Sequence, residues 1–221
     1  MESLDTQRIA SALLYVLALV ISVTVHEFGH AFTADRLGDR LPRSQGRVTL
    51  SPLAHADLFG TLLIPLFGAI SGYGVLGWGK PVMTSLSART LPRWISLRTA
   101  DLVVSLAGPF MNVMLALLLS FVYVGLLHTG KDEIAFRVAN IIAMNIGLCI
   151  FNLLPCPPLD GRSILFWLLG EDHPVSQFLQ KFGVLLFFLL VMSPAIRIVM
   201  IPAQYITHFW LGHLQQLAPP I

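Results

Sequence analysis

The chain has 221 residues, of which 55% are hydrophobic and only 12% charged, with a formal charge of +2 and a mean hydropathy of +0.75. A soluble domain carries roughly 25% charged residues, so this composition excludes an ordinary soluble protein and indicates a polytopic membrane protein. The basic residues stand beside apolar runs and form no single patch; the expected partner is the lipid bilayer and not nucleic acid.

Apolar runs lie at about 9–34, 58–78, 100–127, 134–156 and 177–213, and a bilayer span needs about 20 such residues. The first run ends in Val23-Thr24-Val25-His26-Glu27-Phe28-Gly29-His30-Ala31. No small-residue cleavage site follows it, so it is expected to be a retained span and not a signal peptide. The segment 35–57 carries "GRVTLSPLAHAD". Its alternating character predicts a short strand or β-hairpin against the membrane.

Run 58–78 is broken by Gly60, Pro65, Gly68, Gly72, Gly74 and Gly77. Irregular backbone at membrane depth requires cover from protein or a cavity. The flanking charges bear on its path. Arg36, Arg40, Arg43 and Arg47 precede it, and Lys80, Arg89, Arg93 and Arg98 follow it. Basic residues favour the cytoplasmic side. A true span would put one of these groups outside, so a re-entrant path is favoured over a crossing. On that path the N-terminus is outside, run 9–34 leads inward, run 100–127 outward and run 134–156 inward again. Pro194, Arg197 and Pro202 interrupt the last run, which reads as one bent element or two short ones. The whole of 1–221 reads as a single integral membrane domain, with a core at about 9–170 and a C-terminal hydrophobic segment at about 177–213.

His26-Glu27-Phe28-Gly29-His30 is H-E-x-x-H. On a helix, histidines at i and i+4 share a face and can ligate one Zn²⁺, and the glutamate between them can reach the water on the open position. Ionisable groups inside a span are costly and mark function. A site of this type needs a third protein ligand. The candidate is Asp160, in Asn152-Leu153-Leu154-Pro155-Cys156-Pro157-Pro158-Leu159-Asp160-Gly161, where three prolines break a helix that begins near Ile134. A third constellation, Gly108-Pro109-Phe110-Met111-Asn112, puts a polar Asn112 within a span. Cys149 and Cys156 are the only cysteines; seven residues apart on a helix, they would stand about 10 Å apart along its axis, too far for a disulfide. A broken-helix transporter would also bury histidine and carboxylate, but the two halves show no inverted repeat.

Taken together, H-E-x-x-H at 26–30, G-P-x-x-N at 108–112 and N-x-x-P-x-P-P-L-D-G at 152–161 resemble the three signatures of the site-2 proteases, the zinc intramembrane metalloproteases, in family order. "GRVTLSPLAHADLFGTLLIPL" and "GWGKPV" resemble the short subgroup without a PDZ domain. The resemblance implies an all-α helical core with a small β-hairpin or re-entrant segment after the first span. It implies one Zn²⁺ held by His26, His30 and Asp160, with Glu27 as catalytic base. It also implies that Asn112, Asn152, Pro155 and Pro157 help accept an unwound substrate; His55 could support the site from behind. The expected activity is endopeptidase cleavage within or near transmembrane helices of membrane protein substrates. The expected location is a prokaryotic cytoplasmic membrane, with the site toward the cytoplasm.

Overall fold

A computed structural model describes residues 2–71 and 77–217, with side chains described from residue 9 and not for 69–71. The long elements are helices: α1 (Glu2–Arg36), α5 (Leu97–His128), α6 (Asp132–Asn152) and α8 (Pro174–Met192). Between them lie the single turns α2 (Leu41–Ser44) and α3 (Pro52–His55), a π-helical turn Leu58–Leu63, α4 (Ile64–Ser71) and α7 (Arg162–Leu169). After α8 come α9 (Ala195–Val199) and α10 (Ile201–Gln216). Among the described residues, four helices are long and apolar enough to cross a bilayer: Ile9–Arg36, Leu97–His128, Asp132–Asn152 and Pro174–Met192.

The core is a three-helix unit of α1, α5 and α6. Small residues let the helices approach closely, as they do in membranes generally. A Cβ on Gly29 of α1 would stand 2.6 Å from the Ala107 carbonyl oxygen of α5. Between α5 and α6, Ala116, Tyr123, Ala135, Ala139, Ile142 and Ile146 form a buried apolar cluster. Helix α10 packs on it through Trp210, Leu211 and Leu214, and Trp210 Nε1–H donates to Ser120 Oγ at 2.9 Å. The last apolar run is therefore divided: α8 is one candidate span, and α10 is a shorter helix laid against the core.

The segment after α1 corrects one expectation. No strand forms among the described residues, so the β-hairpin expected in 35–57 is absent. Pro42 and Pro52 each sit in the first turn of a short helix, where their missing N–H costs nothing. Gly46, at φ +68°, turns the chain between these helices. The extended backbone lies instead at 77–87.

Residues 60 and 78 lie side by side. Asp57 caps the π-helical turn, accepting from Phe59 N (3.0 Å) and Gly60 N (2.6 Å). Trp78 N–H then donates back to the Gly60 carbonyl at 3.0 Å, and Thr61 Oγ1 donates to the Trp78 carbonyl at 2.7 Å. The chain thus enters at 60 and is back beside its entry point at 78. The helical stretch 58–71 would span only about 21 Å, short of the roughly 30 Å hydrocarbon core. Gly72 and Gly74 lie outside the described residues.

Candidate metal centre and catalytic cleft

The two histidines of α1 stand one helical turn apart and face α5. Their exposures are 7% for His26 and 8% for His30. Gly108 of α5 makes room for them: a Cβ there would fall against both imidazole rings, 2.7 Å from His26 Cε1. Its neighbour Pro109 lies inside α5, where it removes a backbone donor and opens the helix.

Asp160 arrives from the other end of the sequence. Helix α6 stops at Asn152, and the proline-rich turn carries the chain back toward its own end. There Gly161 N–H donates to the Asn152 carbonyl at 2.7 Å. A Cβ on Gly161 would collide with the Leu153 and Leu154 carbonyl oxygens, so this return requires glycine. Asp160 is thereby aimed at the histidines: Oδ2 is 3.2 Å from His26 Nε2, and Oδ1 is 3.4 Å from His30 Nε2.

The hydrogen bonds behind the ligands show what this arrangement can hold. His30 Nδ1 lies 2.8 Å from the Val104 carbonyl oxygen, which can only accept, so Nδ1 carries the proton. His26 Nδ1 lies 2.7 Å from Asn112 Oδ1. That atom is the amide oxygen, because Asn112 Nδ2 donates to Asn145 Oδ1 (2.9 Å) and to the Ser22 carbonyl (3.2 Å). In the neutral rings both Nε2 atoms then present lone pairs, 3.1 Å apart, toward a carboxylate. Asp160 Oδ2 is buried without a hydrogen-bond partner. Donor atoms so placed converge on a point that suits a cation. All three ligand atoms lie within 4.8 Å of one another. Two imidazole nitrogens and one carboxylate fit zinc with an open position, the donor set of catalytic sites.

The cluster borders a cavity of about 550 Å³. Glu27 lines the same cavity. Its Oε2 accepts from Val82 N–H at 3.1 Å, and among the described residues it pairs with no basic side chain. The wall over Glu27 is the extended segment 77–84. Gly79 lies flat there: a Cβ would be 3.4 Å from Glu27 Cγ and 2.5 Å from Val23 Cγ1. One edge of this segment is tied down. Trp78, Lys80 and Val82 N–H groups are taken by Gly60, His55 and Glu27. The buried Arg47 holds the Lys80 carbonyl (3.2 Å) and the Ala54 carbonyl. Apolar side chains complete the cleft, among them Phe151, Phe187 and Phe188.

The remaining residues named from the resemblance are scattered around the cleft. Asn112 is fully buried and its amide is occupied; it lies behind His26, not in the cavity. Asn152 lines the cavity and donates to the Leu148 carbonyl at 2.9 Å. Pro155 is exposed, and Pro157 is buried against Gly183 of α8. The member of that run lining the cavity is Pro158. His55 is buried with Nε2 donating to the Thr49 carbonyl at 2.8 Å. It supports the loop, its carbonyl holding Lys80, and touches none of the three ligands. Cys156 points its sulfur at the Gly183 carbonyl, 3.3 Å away; burial pushes its thiol up, and it packs. Sequence reasoning missed Asp101 and Ser163. Ser163 Oγ donates to Asp101 Oδ2 at 2.7 Å and lies 2.8 Å from Ser105 Oγ, tying the start of α7, and so Asp160, to α5.

Comparison with known proteins agrees with this geometry. A family model described as Peptidase family M50 matches residues 14–136 and 128–194. The Bacillus subtilis protein named "Putative zinc metalloprotease YwhC" is 34% identical over 188 residues, covering 81% of this chain and 80% of its own length. The Mycobacterium tuberculosis protein named "Putative zinc metalloprotease Rip2" is 33% identical over 195 residues, 82% of this chain and 70% of its own. Its Mycolicibacterium smegmatis namesake is 31% identical over 192 residues, 84% of this chain and 69% of its own. No solved structure gives a significant match. With family signatures over most of its length and four helices fit to cross a bilayer, this chain belongs to peptidase family M50, the site-2 proteases, and is a multi-pass integral membrane protease.

Proposed function

We propose that the protein is a zinc-dependent endopeptidase that cleaves peptide bonds within or near transmembrane helices of membrane protein substrates. The observation that carries this reading is the convergence of two imidazole nitrogens and a carboxylate oxygen, all within 4.8 Å of one another, beside the Glu27 carboxylate in a cleft walled by span residues. His26, His30 and Asp160 would hold the ion. When bound, zinc supplies a Lewis acid that polarises the scissile carbonyl and acidifies water.

The chain's own residues do the rest. Glu27 accepts a proton from the attacking water and passes it to the amine nitrogen that leaves. Val82 N–H holds this carboxylate in place from one oxygen, leaving the other free to face the reaction. Extended backbone suits the substrate as well. A helical substrate hides its carbonyls, so it must unwind before cleavage, and an unwound segment can add to an exposed backbone edge. Residues 45–55 offer little such edge, because turns and α3 occupy most of them. The better-suited edge is 77–83. Its Gly77 and Gly79 line the cavity, while the alternate residues are tied to the protein. The basic residues of 36–47 and 80–98 support placing the cleft toward the cytoplasm of a prokaryotic membrane.

The test is Glu27→Gln in the detergent-solubilised protein, with a model transmembrane peptide read by mass spectrometry. The expected result is wild-type zinc content with cleavage at background, and wild-type cleavage that stops with a chelator. Near-normal turnover in the variant, or chelator-resistant cleavage in the wild type, overturns the mechanism.

A further inference from the structure

Behind the metal ligands, deep between α1, α5 and α6, lies a chain of polar side chains in which every donor and acceptor is assigned. Ser22, Asn112 and Asn145 are all 0% exposed. Polar groups at such depth persist only when satisfied. Ser22 Oγ donates to the Ala18 carbonyl at 2.8 Å. Asn145 Nδ2 donates to the Ile141 carbonyl at 2.9 Å and to Ser22 Oγ at 3.0 Å.

The polarity of this chain follows from its ends. The Ala18 and Ile141 carbonyls can only accept. Ser22 therefore spends its proton on Ala18 and offers Asn145 a lone pair, and Asn145 must turn its NH₂ group toward both. Its Oδ1 is then left facing Asn112 Nδ2, at 2.9 Å. With its NH₂ so engaged, Asn112 turns its own Oδ1 to His26 Nδ1, at 2.7 Å. A flipped Asn112 would set NH₂ against the imidazole and call for the opposite tautomer, with the proton on Nε2, where the ion would sit.

We infer that Asn145 is a positioning residue for the metal: acting through Asn112, it holds His26 with its proton on Nδ1 and its Nε2 lone pair in the site. The inference rests on the metal-site reading above. His30 needs no such relay, because a backbone carbonyl fixes it directly. Groups that orient metal-bound histidines typically contribute 10–100-fold in affinity.

The experiment measures zinc affinity of the full chain in detergent, by competition with a chromogenic chelator. Asn145→Leu removes the relay; Asn145→Asp keeps an acceptor at the same place for Asn112. The expected result is a loss of about 10–100-fold for Asn145→Leu and less than about threefold for Asn145→Asp. Wild-type affinity in a folded Asn145→Leu, or equal losses in both variants, overturns the inference. Asn145→Ser, whose hydroxyl is too short to reach Asn112, serves if the leucine variant does not fold and should show the same loss. A variant-free check is ¹⁵N-histidine NMR of the metal-free wild type, above the pH at which His26 becomes neutral: its proton should remain on Nδ1, and a neutral form protonated only on Nε2 overturns the relay. His30→Ala separates the two levels. Wild-type zinc affinity in that variant sinks the metal-site reading itself, whatever Asn145 does.

Discussion

The two sides of the cleft are built differently. The inner side, made by α1, α5 and α6, holds both histidines by hydrogen bonds at Nδ1, with His26, Asn112 and Asn145 all buried. The outer side is α8, whose Phe187 and Phe188 line the same cavity. Only 11% of the apolar window of α8 is buried, against 44% for α1. Its seat on the core includes Gly183 over Pro157, the Cys156 sulfur on the Gly183 carbonyl, and the Phe151–Phe187 ring pair at 6.0 Å. Chemistry needs ligands fixed to fractions of an ångström, whereas admitting a helix-sized substrate needs a wall that can yield. A hydrogen-bonded side and a sparsely covered side thus face each other across one cavity.

Substitutions on each side should break this contrast in distinct ways. Asp160→Ala removes a ligand, so zinc should no longer co-purify and cleavage should fall to background; metal analysis of the purified variant checks it. Gly108→Ala is subtler, because the new Cβ falls against both imidazole rings. Zinc affinity should drop by about 10–100-fold, the range seen when ligand support is disturbed, and chelator competition reads it. On the outer side, Gly183→Val drives a side chain into the Pro157 ring. Overpacking of this kind costs about 1–3 kcal/mol, so thermal stability should fall and KM should rise while zinc affinity stays at the wild-type value. A loss of zinc in that variant would show that the two sides are coupled. Arg43→Ala removes an exposed partner of Asp35, and such pairs contribute little; melting temperature and turnover should not move.

The sequence carried more of the inner side than of the outer. That His26, His30 and Asp160 come together was legible because their residue types and spacing are those that metal ligation demands. The return of residue 78 to residues 60 and 61 accords with the re-entrant path expected from glycines and flanking charge. The hairpin in 35–57 was misread because alternation is equally compatible with turns begun by Pro42 and Pro52. The extended segment 77–87 has no strand pattern. Its hydrogen bonds go to Gly60, His55, Glu27 and Asp39, partners that only the fold brings near. Asn145 and Asp101 escaped for the same reason: neither belongs to a recognisable spacing, and each acts through a neighbour from another helix. Pro155 and Pro157 were named from the resemblance as helping to accept the substrate, yet Pro158 is the member of that run lining the cleft.

The turn at Gly161 has a mechanical consequence. His30 and Asp160 are separated by 130 positions (160 − 30), and an ion shared between them would act as a removable cross-link between the first helix and the segment after α6. Ligands that bind only the folded state add stability by mass action, about 2.7 kcal/mol at a hundred times the dissociation constant. Zinc would thus fasten the helices together as well as drive hydrolysis. Removing it would loosen the same helix interfaces that shape the cleft, coupling the integrity of the fold to the supply of the metal.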